Sequence, residues 1–447
     1  MNYRKLMKPY ENDMITALGR FISIGSVYDE STKSKTKPFG ENVDKALAFV
    51  ADLGERFGFE VDRCDGYCTE LTIGDGDRMI GIFAHADVVP VVGDWKYGPF
   101  NMTIEDGNIY GRGSSDDKGP LIAAFYAIKA LKDNGLLKGY RVRMVVGGDE
   151  ERGSGCLEYY FNKLEKPYPD YGFTPDSDFP LIYGEKGIRD FYPELRVTIP
   201  NVKSIKGGVA SNAVCDEAVV ELEKEDKELI AFLEKKNVKF TKRAENIVVF
   251  HGKACHGSTP ELGENAALIA LATLGEFYKV DSVKKIGEEL QDTSGKAFGC
   301  FRETKLLGKT TYCVGIIDYK EGELKFTVNF RYPEETATVD MIGKFNDHFG
   351  TVASYKEESP IVLFDPETPL VQTLLNAYRA ETKDMTPPLT TGGGTYAKHA
   401  KNTIAFGALY PGRVSTMHEA NELMPLKDFY ECAVIYARAI NDLGNLK

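Results

Sequence analysis

Apolar residues recur along this chain with two different periods, and their alternation predicts a layered α/β architecture. Residues 79–89, MIGIFAHADVV, are an almost unbroken apolar run behind the turn-forming GDGD, as expected of a buried strand. Residues 119–134 follow helical spacing instead, with Leu121, Phe125, Ile128 and Leu131 on one face and Gly135 as a stop signal. RVRMVVGG at 141–148 returns to the strand texture. Strand, helix and strand in this order predict an α/β layer with parallel pairing.

The texture changes near Gly187. Between 188 and 378, shorter strand candidates (RDFYPELRVTI, ELKFTVNFRY) mix with helical stretches (KELIAFLEKK, ENAALIALATLGEFY). A glycine loop, TPPLTTGGGTYAKHA, comes next. A helix around 425–443 then ends the pattern, introduced by Pro425 and carrying Phe429, Cys432, Ala433 and Ile435 on its apolar side. We read an α/β domain built on a mixed, largely parallel sheet flanked by helices, formed by 1–187 and 379–447. An α+β domain, 188–378, is inserted into it. No internal repeat or low-complexity segment interrupts this pattern.

Charge narrows the function. The chain of 447 residues has 55 Lys+Arg against 67 Asp+Glu, a net charge of −12, and no basic cluster that a phosphate backbone would need. Charges break the apolar residues of MNYRKLMKPYENDMI, so no signal-peptide core is expected. No apolar run reaches the ~18 residues of a membrane helix. Eight cysteines without a secretion signal are expected to be reduced thiols of a cytoplasmic protein. Cys64 and Cys68 are the closest pair, but they lack the second pair of a structural zinc site.

The chemistry gathers where strands end, which is where sites form in such sheets. The first strand carries His85 and Asp87, and the second runs into Asp149, Glu150 and Glu151. Further clusters are Ser115-Asp116-Asp117, Pro175-Asp176-Ser177 and Met417-His418-Glu419. Residues two apart on a strand share a face, so His85 and Asp87 can act as a ligand and the group that orients it. Taken together, the clusters suggest a site for two divalent cations in which one carboxylate bridges both and another acid stays unligated to accept a proton. Carboxylate and imidazole without thiolate suit zinc, manganese or cobalt.

The strings AHADVVP, GRGSSDDKGP, GGDEERGS, FTPDSDFP, GEKG, CHGSTPELGENAA, NFRYP, TGGGTYA and MHEANE resemble those of the dinuclear zinc aminoacylase, carboxypeptidase and carnosinase peptidases. They are most similar to the bacterial peptidase V dipeptidases, over nearly the whole chain. The resemblance implies a catalytic domain and an inserted lid of that branch's long kind. It implies one metal on His85 and Asp176, another on Glu151 and His418, and Asp116 bridging them. Asp87 would clamp the His85 imidazole, and Glu150 would be the general base. A cis peptide is implied at Asp116–Asp117.

In the lid, His256 matches the family's transition-state histidine, and Asn212 and Arg331 match substrate-contacting residues. Gly392, Gly393, Gly394 and Thr395 match the loop that receives a substrate carboxylate. From the residues alone that loop is either a hinge or an anion-binding nest. Two departures stand out: Cys215 where the family commonly has proline, and Cys255 beside His256. His251, His348 and His399 match no motif.

The residues and the resemblance together predict a cytoplasmic, monomeric metal-dependent dipeptidase acting on unblocked dipeptides with two divalent cations, zinc foremost. An N-acyl amino acid deacylase or carboxypeptidase would use the same chemistry. A non-catalytic peptide-binding protein is the alternative from another class, but it predicts damage to the base or the metal ligands, and every one of those positions is intact.

Overall fold

The computed structural model describes residues 1–446. The chain forms two compact units: Met1–Tyr183 with Leu363–Leu389 and the segment from Thr395 onward, and Gly184–Val362 with Thr390–Gly394. The helix Pro369–Thr382, which a boundary at residue 378 would cut, stands whole in the first unit, where Leu374, Leu375 and Tyr378 join the core. Pro369 occupies the first turn of that helix, where its missing N–H costs nothing.

The first unit is built on a mixed sheet. Its centre is parallel: Arg78–His85 pairs with Tyr140–Gly147 on one side and with Tyr171–Thr174 on the other, and Thr403–Ala405 pairs parallel to Tyr171–Thr174. The outer strands Cys68–Gly74 and Glu60–Asp62 run antiparallel. The helix Lys118–Asp133 is buried over nearly its whole surface, which its Ala-, Leu- and Ile-rich sequence permits. It shares its core with the final helix, Leu426–Gly444.

The three central parallel strands end at His85, at Gly147 and at Thr174, each two residues before an acid: Asp87, Asp149 and Asp176. The apolar run 79–89 thus stops being strand at His85, and Ala86 to Val88 leave the ladder as loop. The Asp116–Asp117 peptide is cis, and so is Gly407–Ala408, for which the sequence carries no signal.

The second unit is an eight-stranded antiparallel sheet. Its order is Phe240–Ala244, Ile247–His251, Glu217–Leu222, Val202–Gly207, Thr311–Lys320, Glu323–Tyr332, Gly187–Arg196 and Val352–Tyr355. The helices Ala266–Tyr278, Asp281–Glu289 and Thr338–Phe349 close one contiguous core with it. No helix among the described residues is long and apolar enough to cross a membrane.

Two glycines test the packing. A methyl group added to Gly147 would run into Tyr396 Oη and lie 2.7 Å from Cys156 Sγ, in a region where the thiol and phenol already touch at 3.1 Å. Gly147→Ala is expected to destabilise the first unit by ~1–3 kcal/mol through overpacking. Gly343 lies inside an exposed helix turn with nothing within 4 Å of an added Cβ. Gly343→Ala should stabilise the second unit by ~0.5–1 kcal/mol. Urea denaturation of each variant checks both signs.

Candidate metal centre

The three parallel strands deliver their loops to one end of the first unit, and the helix Lys118–Asp133 begins there. Asp116 enters just before that helix, while His418 arrives from a distant loop with a left-handed backbone, φ +65°. Strand ends and a helix N-terminus therefore bring together residues far apart in sequence.

The meeting is organised around Asp116. One of its carboxylate oxygens lies 3.0 Å from His85 Nε2 and the other lies 2.9 Å from His418 Nε2. Asp176 Oδ2 stands 3.6 Å from the same His85 nitrogen, and Glu151 Oε2 stands 3.2 Å from that of His418. Two groups able to hold a cation result: His85, Asp116 and Asp176, and Asp116, Glu151 and His418. Within each group, one potential ligand atom per residue lies within 4.8 Å of the others.

The donor set fits divalent cations. It is carboxylate and imidazole only, as borderline-hard ions prefer. Glu151 Oε1 is buried without a hydrogen-bond partner in the structure, an unsatisfied acceptor that a cation would engage. Electrostatics point the same way. Burial, then the charges of Asp116 and Glu151, push Asp176 up to about 7. Burial and Asp176 raise Glu150 well above the ordinary carboxyl range, and burial and Asp116 raise Glu151. Burial opposes charge on the imidazoles as well. It is outweighed at His85 by Asp116 and Asp87, and at His418, pushed up to about 11, by Asp116 and Glu151. Asp116 gains in turn: the two imidazoles overcome its burial and hold it well below its usual range.

Asp87 contacts His85 and also a neighbouring turn. His85 Nδ1 meets the main-chain oxygen of Asp87 at 2.9 Å, while the carboxylate stands 3.5 Å away. That carboxylate instead accepts the main-chain N–H groups of Glu150 and Glu151, both at 3.2 Å. Asp87 thus ties the first strand's loop to the turn that carries Glu150 and Glu151. Asp117, which sequence reasoning left without a role, accepts the His85 main-chain N–H at 3.1 Å.

The remaining candidates lie in the second unit, except Thr395. Asn212 and His256 sit side by side there: Gly257 N donates to Asn212 O at 2.6 Å, and Ala213 bridges His256. His256 Nδ1 lies 2.7 Å from Ser258 Oγ. Arg331 is buried, its Nε donating to Asn329 Oδ1 at 2.8 Å and its Nη1 to Gly392 O at 2.7 Å. Gly393 N already donates to Thr391 Oγ1 at 3.0 Å, so this amide is engaged within its own loop. Thr395, in the first unit, caps the short turn Tyr396–Lys398.

The departures are local. Cys215 is buried and directs its thiol to Glu217 O at 3.2 Å, and Cys255 directs its own to Thr259 O at 3.2 Å. No cysteine joins a potential metal group among the described residues. His251 and His348 bond to Thr241 and Glu289, and burial lowers His399 to about 4.

Residues 81–442 match the family of peptidases M20/M25/M40. The Bacillus subtilis protein named "Putative dipeptidase YtjP" is 34% identical, the alignment covering 99% of this chain and 100% of that protein. Among solved structures, the dipeptidase Dug1p of Saccharomyces cerevisiae superposes with a TM-score of 0.62 at 14% identity, covering 100% of this chain and 98% of its own. The metallo-carboxypeptidase Sso-CP2 of Sulfolobus solfataricus gives 0.61 at 19%, covering 97% and 99%. Sequence agreement of this extent makes the chain a member of the M20/M25/M40 peptidases and a hydrolytic metallopeptidase.

Proposed function

We propose that this chain is a dipeptidase that hydrolyses short unblocked peptides with two divalent cations. His85 and Asp176 would hold one cation and Glu151 and His418 the other, with Asp116 within reach of both. The observation that carries the reading is the division of the two Asp116 oxygens between two imidazoles. Zinc suits the donor set best, with manganese or cobalt also within its range. When bound, divalent cations would supply Lewis-acid polarisation of a carbonyl and lower the pKa of water toward ~7.

The chain's own residues do the rest. Glu150, whose buried carboxyl holds a proton more tightly than usual, accepts the proton of the attacking water and returns it to the departing amine. Asp87 fixes the turn that carries this base, through the amides of Glu150 and Glu151. His256 steadies the developing oxyanion. Asn212 orients the substrate, while Arg331 and the loop of Gly392, Gly393, Gly394 and Thr395 take its carboxylate end. Support for a dipeptide over a longer substrate comes from the names of the full-length relatives. The protein acts as a cytoplasmic monomer.

Glu150→Ala should lower kcat about 10²–10⁴-fold while two equivalents of metal remain bound on elemental analysis. Loss of both ions would make Glu150 a ligand and not a base. A substrate panel tests the class: an Ala-Ala dipeptide should be cleaved, and its N-acetylated form and a pentapeptide should be poor substrates. Preference for the acetylated compound would make the protein a deacylase.

Proton linkage gives a third check. Without cations, the carboxylates around His85 and His418 make both imidazoles hold their protons more tightly than usual, whereas ligation requires neutral imidazole. Zinc uptake should therefore release about two protons or more, and affinity should climb as pH rises. Calorimetry in buffers of different ionisation heat measures the release; none would contradict ligation by these histidines.

A further inference from the structure

Behind the two ligand groups lies a buried ion pair for which the mechanism has no use. Arg112 and Glu422 are almost fully enclosed, with side chains 1% and 0% exposed, and they meet at 2.8 Å. A buried pair of this kind is weak support for stability, because desolvation offsets much of the attraction. Its connections suggest another purpose.

The Glu422 carboxylate is saturated by the loop that carries Asp116. One oxygen takes Ser115 N at 2.9 Å, Ser115 Oγ at 3.0 Å and Asp116 N at 3.1 Å. The other takes Gly113 N at 3.0 Å besides the guanidinium. Arg112 directs its second nitrogen elsewhere: Nη2 donates to the main-chain oxygen of His418 at 3.4 Å. A planar fork can make both bonds at once, which an ammonium on a flexible stem cannot reproduce.

Resting on the two-cation reading above, we propose that Arg112 and Glu422 are positioning residues that set the spacing of the metal centre. Glu422 fixes the shared Asp116, and Arg112 ties the His418 loop to it. The two residues therefore have different consequences. Weakening the Glu422 contacts disturbs the carboxylate common to both cations. Replacing the Arg112 fork with lysine releases only the His418 half and leaves the half made by His85 and Asp176.

The test is a calorimetric titration of the cation-free protein with zinc alone, alongside circular dichroism to confirm folding. The unmodified protein should take up two equivalents. Glu422→Gln should weaken both about 10- to 100-fold, the usual cost of losing a group that orients ligands. Arg112→Lys should weaken one equivalent to that extent and leave the other at wild-type affinity, a split that a general loss of stability would not produce. A folded Glu422→Gln or Arg112→Lys protein that binds both equivalents as tightly as wild type overturns the inference, and so does equal weakening of both in Arg112→Lys.

Should neither variant fold, the single tryptophan decides. Arg112 lies 5.2 Å over the ring of Trp95, so Trp95 emission should change on zinc addition in the unmodified protein and stay flat in His418→Ala. No change in the unmodified protein, or the same change in both, overturns the inference. Uptake of fewer than two equivalents by the unmodified protein is a separate result: it overturns the two-cation reading, and this inference with it.

Discussion

Negative charge confined in a small dry volume is the constraint around which the first unit is arranged. Asp87, Asp116, Asp117 and Glu422 are buried among the described residues, and Glu150, Glu151 and Asp176 crowd the same end of the sheet. Carboxylates so placed cannot all ionise without compensation, because burial and mutual repulsion both favour the neutral acid. Two imidazoles and the Arg112 guanidinium answer part of the charge. Protons must answer the rest in the cation-free protein, which is why Asp176 is raised to about 7. Divalent cations and protons thus compete for the same oxygens, so affinity for one is inseparable from affinity for the other.

Such a concentration of charge could not be built on one segment. Parallel pairing solves the problem, because the strands Arg78–His85, Tyr140–Gly147 and Tyr171–Thr174 all end on the same side. Apart from Arg141 and Arg143, the strand interiors are apolar and stabilise the core, and the loops carry the acids of the site. The positive end of the dipole of Lys118–Asp133 faces the same place, with Asp117 at its N-cap. The scaffold and the site therefore share one cause: strand direction decides both where the core closes and where the acids meet.

Strand direction also governs how much could be read from the sequence alone. The strands and the helix around 119–134 were legible because burial on both faces leaves a long apolar run and a 3.6-residue period leaves a stripe. His85 and Glu151 stood out because metal-competent residues end strand-like runs, and Asp116, Asp176 and His418 because they stand in short acidic or histidine clusters. Glu422 did not. An acid four residues beyond a histidine in a polar loop looks solvated, and its value comes from amides 306 to 309 positions away. Likewise the HxD spacing placed Asp87 beside His85 as a candidate, but no periodicity reveals that its carboxylate accepts from two amides while its main-chain oxygen meets the imidazole. Residue type and spacing disclose candidate ligands; they do not disclose the contacts that fix those side chains.

Arg331 is the converse case, a buried positive charge in the second unit. Burial lowers its guanidinium to about 10, with Asp190 among the groups opposing the shift. Its named bonds go to neutral acceptors, the Asn329 side chain and the Gly392 carbonyl, and the charge of Asp190 reaches it one step removed, through the bond from Asn329 Nδ2 to Asp190 Oδ1. A guanidinium has five N–H groups in a planar fork, so these contacts orient it without exhausting it. A buried cation answered mainly by carbonyls has more to gain from an arriving carboxylate than one already locked in an ion pair. Arg331 for that reason retains capacity for a further anionic partner, on the chemistry of the second unit alone.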